Sequence, residues 1–234
     1  MTNQRKKGLF VVLDGNDGSG KATQAQNLVA RLESEGRECL LLSFPEYDNN
    51  LFGELLAECL AGKRGDFVHL DPHITSTLYA ADRFESSTKI RAALEEGKVV
   101  IADRFTSSNQ IHQGGKIPNE NERISFLAWL DRMEHETIAI PRPDVIIYLK
   151  VPVETSLVLL ADKRRAKNIN LGDGEMDQVE SDREYLDCSH ETAGWLMSRQ
   201  ENWRLIDCLG ADGQMRTREE IGVDVMAAIK PFVD

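Results

Sequence analysis

Basic charge is what this sequence is short of. Its 28 lysines and arginines face 39 aspartates and glutamates, a formal net charge of −11. That balance argues against a general binder of nucleic acid or of anionic membrane surfaces. It leaves nucleotides open, because a phosphate needs only a local positive site. Cysteine is scarce too. Cys39, Cys59, Cys188 and Cys208 form no C-x-x-C pair and no metal-ligand spacing, which points to buried thiols in a reducing compartment. Long apolar runs are missing as well. The charged start MTNQRKK leads into only six apolar residues before Asp14, too few for a signal-peptide core or a membrane span. The expectation is a cytoplasmic chain. It has no internal repeat or low-complexity linker, and its 234 residues suit one domain, 1–234, with a sizeable core.

What is present alternates. Gly8 to Asp14 is a continuous apolar run, as expected of a strand buried on both faces, and Cys39 to Phe44 reads as a second buried strand. Lys98 to Asp103, Val145 to Val151 and Trp203 to Cys208 read as three further strands. Helical spacing separates them: Ala25, Leu28, Val29 and Leu32, then Leu51 to Leu60. A helix from the Asp71-Pro72 start to Glu96 follows, then segments near Glu120 to Ile138, Glu154 to Lys167, Asp182 to Gln200 and Arg218 to Ile229. Strands alternating with helices predict an α/β fold in three layers, a five-stranded parallel sheet flanked by helices on both faces. Ligands of such sheets bind at the carboxyl ends of the strands. Three motifs fall there: 15–23, 44–47 and 103–109.

The first is Gly15-Asn16-Asp17-Gly18-Ser19-Gly20-Lys21-Ala22-Thr23. Its glycines let backbone N–H groups approach an anion without side-chain collision, and the helix that follows turns its positive end to the same point. Lys21 adds a mobile charge. The full G-x-x-x-x-G-K pattern between a buried strand and an amphipathic helix predicts a phosphate loop for a nucleoside triphosphate. Ala22 stands where Ser or Thr usually supplies a hydroxyl to Mg²⁺, so Thr23 or water takes that role.

At the tip of KVVIADR, Asp103 can hold Mg²⁺ or its waters and Arg104 can clamp phosphoryl oxygens; a surface ion pair is the plainer alternative. In STLYAADRFE, Tyr79 and Arg83 share a helix face. They suit either a base-stacking and base-reading pair or a core edge with a salt bridge. The cluster Lys163, Arg164, Arg165 and Lys167 is either a solvated helix end or a lid that brings charge over a phosphate.

The motifs GLFVVLDGNDGSGKATQ, FPEY, LYAADR, DRFTSSNQIHQGGK, PRPDVIIYL and ESDREYL together resemble the thymidylate kinase family, of the P-loop nucleoside monophosphate kinase fold. The resemblance implies transfer of the γ-phosphoryl group of ATP to dTMP with Mg²⁺, a short lid at about 162–180, and a homodimer. It places Asp17 at the sugar 3′-hydroxyl and Phe44, Pro45 and Tyr47 around the monophosphate. Tyr79 would stack on thymine, Arg83 would contact the base, and Arg104 and Asn109 would reach the acceptor phosphate and the base. The phosphate loop carries no arginine, and Gln178 stands where many relatives have one. Arg164 and Arg165 are thus the candidate lid cations beside Lys21 and Arg104. Phe105 replaces a commoner Tyr, and His112 takes a position that some relatives fill with Tyr. A polyphosphate-dependent nucleotide kinase shares the loop and the D-R tip, but its W-Y-N-R run is T-S-S-N here. A GTPase-type switch would carry N-K-x-D, which is absent.

Overall fold

The computed structural model describes residues 7–166, 179 and 182–233, with no side-chain description for 163–166. Apolar runs become strands, and the three central ones are covered on both faces while the two outer ones leave residues exposed. The first strand, β1 (Leu9–Gly15), is buried at every residue. Around it lie β2 (Cys39–Ser43), β3 (Val99–Asp103), β4 (Val145–Lys150) and β5 (Trp203–Asp207). They form one parallel sheet in the order β2-β3-β1-β4-β5. The period-2 alternation of strand side chains splits the core into two layers. Leu9, Val11 and Leu13 join Leu28, Leu32, Val225 and Ile229 on one face, while Phe10 and Val12 join Ile90, Phe105, Ile111 and Leu196 on the other.

The helices are α1 (Lys21–Ser34), α2 (Leu51–Leu60), α3 (Pro72–Glu95), α4 (Thr106–Gly115), α5 (Glu120–Asp131), α6 (Val153–Ala166), α7 (Arg183–Met197) and α8 (Arg218–Val233). Short polar side chains start four of them by accepting orphan backbone N–H groups: Asn50 from Gly53, Asp71 from His73, Asn119 from Glu122 and Asp182 from Tyr185. Pro72 stands at the first helical position of α3, where a missing N–H costs nothing.

Two elements depart from the expectation. Helix α4 lacked a visible apolar period, because among its buried residues Thr106, Ser107, Asn109 and Gln113 are polar and Ile111 is the one large apolar side chain. It is held by hydrogen bonds that no local pattern announces. The helix expected over Glu120 to Ile138 stays α-helical only to Asp131 and widens into a π-helical segment, Arg132–Thr137. The cysteines are all free, but only Cys59 and Cys208 are buried; Cys39 and Cys188 are half-exposed.

Candidate active site

The sheet order places β1 between β3 and β4, so the loop leaving β1 meets the tips of its neighbours. Phe44 N donates to Asp103 O at 2.9 Å, and Arg104 N to Leu13 O at 2.9 Å. All three motifs therefore meet at one edge, as the sequence predicted. A cavity of about 700 Å³ opens there, lined by the loop from Asp17 to Thr23, by Phe44, Pro45 and Tyr47, by Tyr79 and Arg83, and by Asp103, Arg104 and Asn109.

The loop is glycine-bound by geometry. Gly15 and Gly18 have φ of 148° and 84°, and a Cβ on either would stand 2.6 Å from Leu149 O or 2.5 Å from Ser156 O. Asn16 anchors the loop to the sheet through Nδ2, which donates to Val151 O at 3.1 Å. Its side chain is thus a strut, and its backbone is what remains for a phosphate. Lys21 is buried, with Nζ donating to Gly15 O at 3.0 Å and Asn16 O at 2.8 Å. Burial and nearby Arg104 push its pKa below the usual lysine range, against the pull of Asp17, Asp103 and Asp14.

Arg104 is the crossing point. Its backbone takes a positive φ of 67°, an uncommon state for a non-glycine residue. Its Nη2 donates to Asp17 Oδ1 at 2.7 Å, while Nη1 lies 3.4 Å from Asp14 Oδ1 and 3.2 Å from His112 Nε2. Burial works against both partners' charges. Even so, Arg104 and Lys21 hold the Asp17 carboxyl well below the usual range, and Asp17, Asp14 and Asp103 raise the Arg104 pKa further. The 3.2 Å contact makes Nε2 of a neutral His112 the acceptor, with Nδ1 3.1 Å from Ser189 Oγ. Burial first and Arg104 second push His112 down to about 4.

Asp14 escaped the sequence reading. It is fully buried, and its carboxylate accepts from Gly15 N at 2.8 Å, Ser107 Oγ at 2.6 Å and Ser108 Oγ at 2.8 Å. The available signal was a carboxylate ending an otherwise apolar buried strand, which demands partners. Asp103 differs. Its Oδ1 is buried with no hydrogen-bond partner among the described residues, and burial raises its pKa. An orphaned acid oxygen beside a phosphate loop fits Mg²⁺ or a metal-bound water. Thr23 lines the same cavity. Among the described residues no group of three or more His, Cys, Asp or Glu could hold a metal by itself.

On the acceptor side, Arg83 is almost wholly buried. Its Nη2 donates to Glu134 Oε1 in a short contact, Nη1 lies 3.4 Å from Phe105 O, and its Cζ stands 5.8 Å over the Phe105 ring. Asn109 donates Nδ2 to Ser76 O at 3.1 Å and to Glu134 Oε1 at 2.7 Å. Tyr79 packs against Phe67 at 5.8 Å. Glu134 and the cavity-lining Gln113, whose Oε1 is buried without a partner among the described residues, were not found from the sequence. The backbone of Arg164 and Arg165 completes α6, but their side chains, and Gln178, lie outside the described residues.

A phosphate loop behind a central parallel strand, an acid on the adjacent strand tip and an aromatic-lined part of the same cavity across Arg104 define a P-loop phosphotransferase of the nucleoside monophosphate kinase architecture. A thymidylate kinase family model matches residues 13–210. Thymidylate kinase of Mycobacterium tuberculosis is 30% identical over 146 residues, covering 62% of this chain and 67% of that one. Human thymidylate kinase is 28% identical over 202 residues, 86% and 83% of the two chains. A solved thymidylate kinase structure from Candida albicans superposes with a TM-score of 0.71 at 21% identity, over 97% of this chain and 92% of that one, and so shares the fold. The chain belongs to the thymidylate kinase family.

Proposed function

We propose that this cavity carries out the family's reaction, transfer of the γ-phosphoryl group of ATP to dTMP to give dTDP and ADP. The observation that carries the reading is Arg104, bonded to Asp17 of the phosphate loop at 2.7 Å while lining the same cavity as Tyr79, Arg83 and Asn109. One cation thus borders both the donor loop and the acceptor pocket. No general base is needed, because the attacking phosphate oxygen is ionised at neutral pH. Positioning two anions in line and neutralising the charge between them is the main task.

In this reading the loop from Gly15 to Thr23 cradles the ATP phosphates, and Lys21 moves from the loop carbonyls to their oxygens. Arg104 meets the acceptor phosphate. Asp17 approaches the sugar, Phe44, Pro45 and Tyr47 border the monophosphate, Tyr79 stacks the base, and Arg83 and Asn109 read its edge. Asp103, with Thr23, would hold Mg²⁺, which supplies charge neutralisation between the two substrates when bound.

Arg164 and Arg165 fall about one helical turn beyond the cavity-lining Leu160; the lid at about 162–180 that the resemblance implies lies mostly outside the described residues. The chain is taken as one domain. Pairing into a homodimer is supported by the exposed Ile74, Phe84 and Ile124 on α3 and α5. No helix among the described residues is long and apolar enough to cross a membrane. The test is a coupled ADP-release assay across nucleoside monophosphates, with ATP, GTP and polyphosphate as donors. Preferred turnover of dTMP with ATP is expected. Preference for another acceptor, or for polyphosphate, would overturn it.

A further inference from the structure

A buried acid stands behind the pocket that the proposed function gives to the base. Glu134 is 1% exposed and Arg83 2%. Glu134 does not line the cavity, whereas Arg83 and Asn109 do. It lies in the π-helical segment Arg132–Thr137 that follows Asp131, a distortion that recurs at functional sites. One oxygen, Oε1, accepts from both Arg83 Nη2 and Asn109 Nδ2. Burial raises the pKa of Glu134, while Arg83 and Asn109 favour its charged form. A carboxylate buried this deeply needs both partners.

The consequence lies in the donors and acceptors left over. A primary amide has two N–H donors and one carbonyl acceptor. Both Asn109 donors are committed, to Ser76 O and to Glu134 Oε1, so the amide can offer a ligand only its oxygen. Arg83 can only donate, and its Nε is buried without a partner among the described residues. The pair therefore presents an acceptor from Asn109 and only donors from Arg83. Thymine and uracil match that arrangement with N3–H and O4. Cytosine opposes it with a bare N3 and an N4 amino group. A wrong pairing leaves buried polar groups unmet, which is how such sites reject analogues.

We propose that Glu134 is the positioning residue that fixes Arg83 and Asn109 for a keto-pyrimidine base and so sets the preference for dTMP over dCMP. The inference rests on the base lying against these two side chains, as in the proposed function. The test uses the full chain as wild type, Glu134→Gln and Glu134→Asp, with kcat and KM for dTMP and dCMP, KM for ATP, and thermal melting. Glu134→Gln keeps the shape and removes the charge. It should raise KM for dTMP at least about tenfold, the loss expected for one charge-assisted hydrogen bond. The dTMP/dCMP ratio of kcat/KM should fall by a similar factor, with kcat and KM for ATP within about threefold of wild type. Glu134→Asp keeps the charge and shortens the reach, so it should lose less; if the Gln variant does not fold, a smaller loss of the same kind in the Asp variant decides the matter. A folded variant with unchanged dTMP KM and selectivity, or with KM for ATP rising as much as for dTMP, overturns the proposal. Wild type that does not prefer dTMP over dCMP overturns the reading of the pocket itself, a separate failure.

Discussion

Replacing Lys21 by Met should separate stability from catalysis. Met keeps the length and apolar stem of Lys and removes the ammonium. Lost with it are two bonds to loop carbonyls, at 3.0 and 2.8 Å, each worth at most about 1.5–3 kcal/mol as charge-assisted bonds, together with the 3.5 Å ion pair to Asp17 and the pull of Asp103 and Asp14. Relieved with it are the desolvation of a buried ammonium, on the order of several kcal/mol, and repulsion from Arg104. The direction of the Lys21 pKa shows which side wins. It lies below the usual lysine value, with burial the largest cause, so the folded chain disfavours the charge. This cost is fully present below the folded pKa and fades as pH rises from there through the unfolded value near 10.5. At neutral pH the free Lys21→Met protein should therefore melt no lower than wild type. A gain of about 1 kcal/mol would appear as about 2–4 °C in a chain of this size.

Turnover should move the other way. A cation on a transferring phosphoryl group contributes on the order of 10³–10⁵ in rate by analogy with arginine fingers, so a loss of at least about 10³-fold is expected. Thermal melting with and without ATP, alongside coupled ADP release, gives both readings. Wild type at 100 Kd of ATP should gain about 2.7 kcal/mol, and the variant much less. A free variant that melts more than about 6 °C lower would refute the stability argument, since by the same scale that is a loss of well over 1 kcal/mol. Near-normal turnover would refute the role of the phosphate loop.

Asp103→Asn should weaken Mg²⁺ binding about 10- to 100-fold, as for loss of a residue that holds a metal or its waters. A Mg²⁺ titration of turnover measures this, and activity surviving at low Mg²⁺ would make Asp103 structural only. Tyr79→Ala removes a stacking surface worth about 1–3 kcal/mol. KM for dTMP should rise far more than KM for ATP; equal effects would mean that the ring only packs. His112 is pushed down to about 4 from the usual 6.5, so between those pH values the unfolded chain binds a proton that the folded chain refuses. Wild-type stability should fall as pH drops through that window, and His112→Gln should flatten the slope of melting temperature against pH. An unchanged slope would remove His112 from the account.

The local patterns of the sequence determined the five strands, the phosphate loop and the capped start of α3, because each depends on neighbours along the chain. The central strands, buried on both faces, must be apolar along their length, and Asp71 followed by Pro72 suits a helix start wherever that helix packs. The family resemblance added the acceptor pocket from Phe44 to Asn109, and the cavity gathers those residues. Only the tertiary structure decided the rest. Helix α4 buries hydroxyls and amides whose partners lie far away in sequence, such as Ser107 bonding to Asp14, 93 residues away. Glu134 reaches Arg83 across 51 residues and Asn109 across 25. Burying a charge or an amide is permissible only when its partner arrives from another element, and a linear pattern does not record which element that is. Asp14, Glu134 and the position of Arg104 between the phosphate loop and the acceptor side of the cavity therefore became visible only once the order β2-β3-β1-β4-β5 had brought their elements side by side.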